Sequence, residues 1–351
     1  MKVKKTPGFS LKKSLPIPEL DIHLTELVHD KTGATVLHIH ANDPENLFCL
    51  SFRTIPTTSN GVAHILEHTV LCGSKQYPVK DPFFSMTRRS LNTFMNALTG
   101  SDFTCYPAAT LIKKDFYNLL DVYLDAVFYP ILSKESFLQE GHRLEFQNPS
   151  DPNSPLEYKG IVYNEMKGAL TGPQARLSET INSLLFPDIT YGINSGGDPN
   201  EIPHLTHKEL CDFHKKYYHP SRCLFYFYGD LPLEKHLQFI DEKVLSKVKP
   251  TKDLHFLPKQ KRFTTMKEKK DSYPLSKEEM TDKKSYLTLS WLTAHIAEQE
   301  ELLGIAILEM ALMDTDASPL KMAILKSGLA ASASVSFDSE LSEAALTLMM
   351  S

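Results

Sequence analysis

The chain has 351 residues, of which 42% are hydrophobic and 23% charged, and its formal net charge is −5. That length supports two domains with full cores, and an interspersed, slightly acidic charge argues against a nucleic-acid-binding surface. No apolar run approaches the length of a membrane span, so no membrane partner is expected. The basic start, Met-Lys-Val-Lys-Lys-Thr-Pro-Gly, has no apolar core behind it and lacks the Arg and Ser content of an organelle leader. The expected location is therefore the cytoplasm, or an organelle matrix if a transit peptide has been removed. Cys49, Cys72, Cys105, Cys211 and Cys223 form no CxxC pair and read as reduced thiols.

In chain order, residues 1–20 read as an extended arm, because Pro7, Pro16 and Pro18 exclude a helix. Alternation over Ala34–His40 and the apolar run Leu47–Phe52 predict two strands, joined by the turn Asn42-Asp43-Pro44. His38 and His40 are read as solvent-facing polar residues of a strand edge. A polar loop over Thr54–Asn60 leads to residues 61–74, a mostly apolar segment carrying His64, Glu67 and His68. On a helix, His64 and His68 share one face a turn apart, the spacing at which two imidazoles hold one zinc ion. Glu67 borders the same point without ligating it, where a general base for a water must sit. The order His-x-x-Glu-His is the inverted zinc-protease pattern. Cys72 continues the His64–His68 face and is a possible third ligand, though Gly73 marks a helix end beside it; the alternative is a small apolar filler.

Asp81-Pro82 predicts a helix start, running to Leu98 with Gly100 as its stop. Phe103–Tyr106 reads as a strand, Asp115–Phe128 as an amphipathic helix, and Ser133 to Leu144 as another helix. A helix over about 159–171 places Glu165 in a stripe with Ile161, Val162, Met166 and Ala169. A carboxylate inside an apolar stripe requires a metal or an ionic partner. Glu165 is thus either a third zinc ligand or half of a buried salt bridge, while Glu140, Glu145, Glu157 and Glu179 lie among polar neighbours. Ser195-Gly196-Gly197-Asp198-Pro199 is a turn with no Lys-Ser/Thr behind it, so it is no phosphate loop. Thr206 caps a helix to Tyr218, Arg222–Tyr228 is a strand, and Leu231–Val248 is a helix. Residues 249–284, rich in Lys and Glu, read as a charged linker. A strand from Tyr286 and an apolar helix over Glu298–Met313 then repeat the early order of strand, loop and apolar helix, with no metal residues at the matching place.

The sequence resembles the pitrilysin/insulinase family of zinc peptidases, and within it the presequence-protease branch. The residues that carry the resemblance are His-Ile-Leu-Glu-His-Thr-Val-Leu-Cys-Gly-Ser (64–74), Asp-Pro-Phe-Phe (81–84), Arg-Ser-Leu (89–91) and Thr-Phe-Met-Asn-Ala (93–97). Asn-Pro-Ser-Asp-Pro (148–152), Tyr-Asn-Glu-Met-Lys-Gly-Ala (163–169) and Ser-Gly-Gly-Asp-Pro (195–199) match as well. The resemblance implies that His64, His68 and Glu165 are zinc ligands and that Glu67 is the catalytic base. The gap of 97 residues from His68 to Glu165 suits this branch. It also implies that Asn96 and Ala97 contact substrate, whose backbone would pair there as an added strand. Many relatives carry a further Glu seven residues before the third ligand; here that position is Tyr158, so no such carboxylate is assigned.

The expected fold is α+β: a mostly antiparallel sheet backed by helices, followed by an incomplete second copy. The expected organisation is a zinc-binding catalytic domain over 1–248, a linker over 249–284, and the start of a second homologous domain without a metal site over 285–351. The expected activity is zinc-dependent endoproteolysis of unfolded peptides. In the family, two halves close round a peptide chamber, so a C-terminal half or a second subunit is the expected partner. The rival expectation is a zinc- and peptide-binding chain with little activity for want of that half.

Overall fold

The structure, a computed structural model, describes residues 6–251, 257–278, 281–282 and 284–351. The first five residues of the expected arm, and parts of the expected linker, lie outside the described residues. The strands and helices run in the order β1 (Phe9–Ile17), β2 (Ile22–His29), β3 (Thr35–Ala41), β4 (Asn46–Arg53), α1 (Val62–Val70), α2 (Pro82–Arg89), β5 (Asn92–Met95), β6 (Leu98–Thr99) and β7 (Phe103–Thr110). They continue with α3 (Lys113–Phe128), α4 (Lys134–Glu140), β8 (Arg143–Phe146), β9 (Leu156–Lys159), α5 (Ile161–Ala169), α6 (Pro173–Leu185), α7 (His207–Tyr217), β10 (Cys223–Gly229) and α8 (Leu233–Lys243). The last five are β11 (Leu287–His295), α9 (Gln299–Met313), α10 (Pro319–Ser327), β12 (Ala333–Asp338) and β13 (Glu343–Met350).

Packing divides the chain into two compact units, Met1–Gly168 with Ile193–His255, and Ala169–Gly192 with Phe256–Ser351. The expected boundaries at 248 and 284 follow composition; the units follow packing, so Ala169–Gly192 counts with the later segment. The architecture is α+β, as expected. The main sheet of the first unit has the order β1-β2-β3-β10-β4-β7-β5, with β6 also on β7. Every pairing in it is antiparallel except β10 with β3. One face of β4 presents Phe48, Leu50 and Phe52 to the core, and helix α3 supplies Phe116, Leu119, Leu120 and Tyr123 against it. Phe48 meets Phe116 and Tyr123 edge-on at 5.5 and 5.2 Å between ring centroids, the arrangement that aromatic quadrupoles favour. The second unit carries the sheet β11-β13-β12. There Arg262 pairs with the fully buried carboxylate of Glu343 at 2.9 Å, and Tyr191 and Ser342 share a hydrogen bond at 2.8 Å.

Four expectations are corrected. Nine of the arm's twenty residues, extended as expected, are no free arm but an ordered edge strand, β1, paired to β2, whose Pro16 is tolerated because an edge leaves one side unpaired. The helix from Pro82 stops at Arg89, and Asp81 makes no side-chain cap; the following residues are needed as β5 and β6 on β7. The helix opened by Ser133 ends at Glu140, and the residues up to Leu144 turn into the β8–β9 hairpin. His38 faces the interior, 4% exposed, because β3 is an inner strand and α8 covers it, setting His236 5.9 Å from the His38 ring. Burial lowers both imidazoles, to about 4 for His38 and about 3 for His236. No helix among the described residues is long and apolar enough to cross a membrane.

Candidate functional site

Helix α1 begins at Gly61, whose φ of 70° is in the left-handed region. A β-carbon there would sit 3.1 Å from the Gly196 carbonyl oxygen and 3.2 Å from Gly197 Cα. At Gly197, with φ of 110°, a β-carbon would sit 2.9 Å from Gly61 Cα. Both positions therefore need glycine, and for one reason: the 195–199 loop lies directly on the helix start. Asp198 N–H donates to the Ser59 carbonyl at 2.7 Å and fastens the contact. The glycine pair brings a backbone to a helix, which is what places the Gly196 carbonyl 3.1 Å from His64 Nδ1.

Seven of the nine residues of α1 are buried, Glu67 among them. His64 and His68 sit a turn apart with their rings 4.9 Å from each other. Each has its Nδ1 engaged: His64 donates to the Gly196 carbonyl, and His68 donates to Glu140 Oε2 at 3.1 Å. That leaves Nε2 of both rings for a ligand, with orientation set from behind, the usual support of a metal-binding histidine. Glu165, from α5, brings Oε1 to 3.7 Å from His64 Nε2. One donor atom from each of His64, His68 and Glu165 lies within 4.8 Å of the others, the only such cluster among the described residues. Zinc with bonds of ~2 Å separates tetrahedral ligands by about 3.3 Å, so donors up to 4.8 Å apart must close by as much as about 1.5 Å, a movement shared among three side chains of which Glu165 is half-exposed. Two imidazoles and a carboxylate are also a donor set that zinc takes, with a fourth position left open. The residues fit the ion.

Glu140 is the functional residue that sequence reasoning missed. It is buried at the end of α4 and accepts hydrogen bonds from His68, from Gln139 at 2.9 Å and from the Cys72 thiol at 3.7 Å. Burial opposes its charge, but the His68 and Gln139 hydrogen bonds hold its carboxyl below the usual range. His68 is the complement: burial pulls the imidazole down, and the Glu140 hydrogen bond with the Glu67, Glu140 and Glu165 charges raises it overall. Tyr158, the position where a supporting carboxylate was sought, is a half-exposed ring beside Tyr163 and His142. No signal within α4 distinguishes Glu140; it acquires its role when α4 packs on α1.

Cys72 is not part of the cluster. Its thiol is turned to Glu140, and burial together with that charge pushes its ionisation up, away from the thiolate a metal would need. Glu145 and Glu157 are tied to Arg143 and Lys159 in surface ion pairs, and Glu179 lies on α6 in the other unit. The reason given for Glu165 is corrected: its side chain is 53% exposed, and of its helix only Val162 is buried. Asn96 and Ala97 lie between β5 and β6 at the margin of the main sheet. Asn96 N–H donates to the Pro107 carbonyl at 3.1 Å, and the Asn96 side chain accepts from Ala97 N–H at 3.0 Å. The Tyr123 hydroxyl reaches the Asn96 carbonyl at 3.4 Å.

Comparison with known proteins places this geometry in context. The family described as Insulinase (Peptidase family M16) matches residues 53–148, and the Peptidase M16 inactive domain matches residues 204–351. The mitochondrial presequence protease of Xenopus laevis is 46% identical over 327 residues, 92% of this chain and 32% of that protein. The mitochondrial presequence protease of Mus musculus is 45% identical over 93% of this chain and 32% of that protein. The solved structure of pitrilysin superposes with a TM-score of 0.67 at 18% identity, covering 98% of this chain and 35% of that one, a likeness of fold. The chain spans about a third of the length of the curated relatives it matches. The cytoplasmic expectation is corrected by these relatives, both named as mitochondrial; the residues at the start of the sequence are no guide to location. By the two domain matches and the identity to these relatives, the chain belongs to the insulinase-type M16 peptidases, in their presequence-protease branch.

Proposed function

We propose that this chain is the metal-binding part of a zinc metalloendopeptidase, with His64, His68 and Glu165 as ligands and Glu67 as general base. The observation that carries the reading is the convergence of the three donor atoms within 4.8 Å beside the buried Glu67. A bound zinc ion would supply Lewis acidity, lowering the pKa of a water and polarising the scissile carbonyl. Glu67 takes the proton from the attacking water and returns it to the leaving amine nitrogen. Its low exposure keeps bulk water from competing for that proton. The substrates are unfolded peptides lying along Asn96 and Ala97, where an extended backbone can pair at the sheet margin. Residues 1–248 form the catalytic domain, 249–284 a connecting segment, and 285–351 the start of a second homologous domain without a metal site. The relatives' names, mitochondrial presequence proteases, support a mitochondrial location and a presequence-like peptide as substrate.

The test is cleavage of a fluorogenic unstructured peptide by the full chain. Chelator-sensitive activity that is absent in Glu67→Gln supports the reading. Metal analysis of Glu165→Gln beside wild type checks the third ligand: unchanged zinc content removes Glu165 from the set. A second reading is favoured by the extent of the match, about a third of the relatives' length. On it, the chain binds zinc and peptide but turns over little until a remaining half or second subunit closes the chamber. A zinc-loaded, peptide-binding but inert chain would support that reading.

A further inference from the structure

Among the described residues, the Glu67 carboxylate accepts one hydrogen bond, from the Thr99 hydroxyl to Oε2 at 2.5 Å. A glutamate has three rotatable bonds, and a base must hold one lone pair toward the water it deprotonates. The Thr99 bond engages Oε2, and no hydrogen bond to Oε1 is seen among the described residues. Thr99 is itself well held. It pairs with Thr104 in the β6–β7 hairpin, which the Gly100 N–H closes onto the Phe103 carbonyl at 2.8 Å. Its β-branched side chain has few rotamers, so the strand sets the direction of the hydroxyl. Thr99 also stands two residues after Ala97, on the segment along which a peptide would lie.

Building on the reading of Glu67 as base, we infer that Thr99 is its positioning residue, and that it ties the alignment of the base to the strand segment 96–99 that receives the peptide. A peptide that seats on this segment steadies the strand, and the strand steadies the carboxylate. Thr99 touches neither substrate nor ion in this role; it acts through Glu67.

The experiment compares Thr99→Val, which keeps the shape and removes the donor, with Thr99→Ser, which keeps the donor. Thr99→Val is expected to lower kcat for peptide cleavage by about tenfold or more, less than the ~10²–10⁴ that loss of a base costs. KM and zinc content should stay within about twofold, and Thr99→Ser should recover most of kcat. A kcat in Thr99→Val within about twofold of wild type overturns the inference, as does Thr99→Ser falling as far as Thr99→Val. Crystal structures of the two variants decide it independently of turnover. The Glu67 carboxylate should leave its position in Thr99→Val and keep it in Thr99→Ser; an unmoved carboxylate in Thr99→Val overturns the inference. A wild-type chain that cleaves nothing counts against the functional reading alone, and the crystallographic comparison still decides the role of Thr99.

Discussion

Helices α1 and α9 each follow a strand and a loop and are rich in apolar residues, yet they end in opposite conditions. In α1 seven of nine residues are buried, and its histidines and glutamate each meet a defined partner from outside the helix: Gly196 for His64, Glu140 for His68, Thr99 for Glu67. In α9 only Leu302 and Met313 of fifteen are buried, and Leu303, Ile307, Leu308 and Met310 are each more than half exposed. A helix apolar on every side is suited to being enclosed; α1 is enclosed, and α9 shows its apolar side chains to solvent. The lesson is that an apolar helix becomes a site when several elements close on it, because enclosure both lowers the local dielectric and supplies the partners that fix each polar group.

The sharpest break of this contrast is at Glu67. Glu67→Gln should lower peptide cleavage by ~10²–10⁴ while zinc content stays the same; wild-type-like cleavage would show that α1's enclosure serves something other than proton transfer. Packing comes next. Leu66→Ala in α1, at a position with no exposure, should cost about 2–5 kcal/mol in denaturant unfolding.

Acidification probes the enclosed histidines of the same unit. His38 and His236 are neutral in the fold, with pKa about 4 and about 3, whereas an unfolded chain protonates its histidines near 6.5. The unfolded state therefore binds more protons between those values. Stability is full above about pH 6.5, falls as the pH drops, and levels off below the folded values, with His38 alone accounting for about 3 kcal/mol over the window. In His38→Gln the slope of stability against pH should flatten; an unchanged slope rejects the assignment.

At the metal, Glu140→Gln should weaken zinc retention about 10- to 100-fold in a chelator competition, with His64 unaffected in its own Gly196 contact. The smallest effect belongs to α9. Leu303→Ser should change stability by no more than ~0.5 kcal/mol, since Leu303 is 62% exposed; a loss comparable to Leu66→Ala would erase the distinction between the helices.

How much of this is legible in the sequence depends on range. His64, Glu67 and His68 are legible because their chemistry follows from positions on one short helix. The Thr206 cap is legible for the same reason, and the structure shows its full capping box with Glu209. Glu165 enters through family resemblance, and its own physical warrant, burial within an apolar stripe, does not hold. Glu140 is illegible because its partner His68 is 72 residues away in sequence and nothing within α4 announces the contact. His38 is misread because a strand's place in a sheet depends on what pairs beside it: β10, far along the chain, turns β3 into an inner strand and brings α8 over it. The segment after Arg89 is misread because its strand character comes from pairing with β7, while local pattern favours a continued helix.

The insertion of β10 between β3 and β4 has a consequence in time. Strands β3 and β4 are consecutive in the chain but not neighbours in the sheet; the parallel strand Cys223–Gly229 separates them. On a ribosome, β4 and the α1 helix behind it emerge well before the strand that completes their sheet. Long-range pairing of this kind is slow to nucleate, and domains acquire native packing only when their last element has been made. The helix that carries His64, Glu67 and His68 is thus synthesised well before the strand that completes the sheet it packs beside.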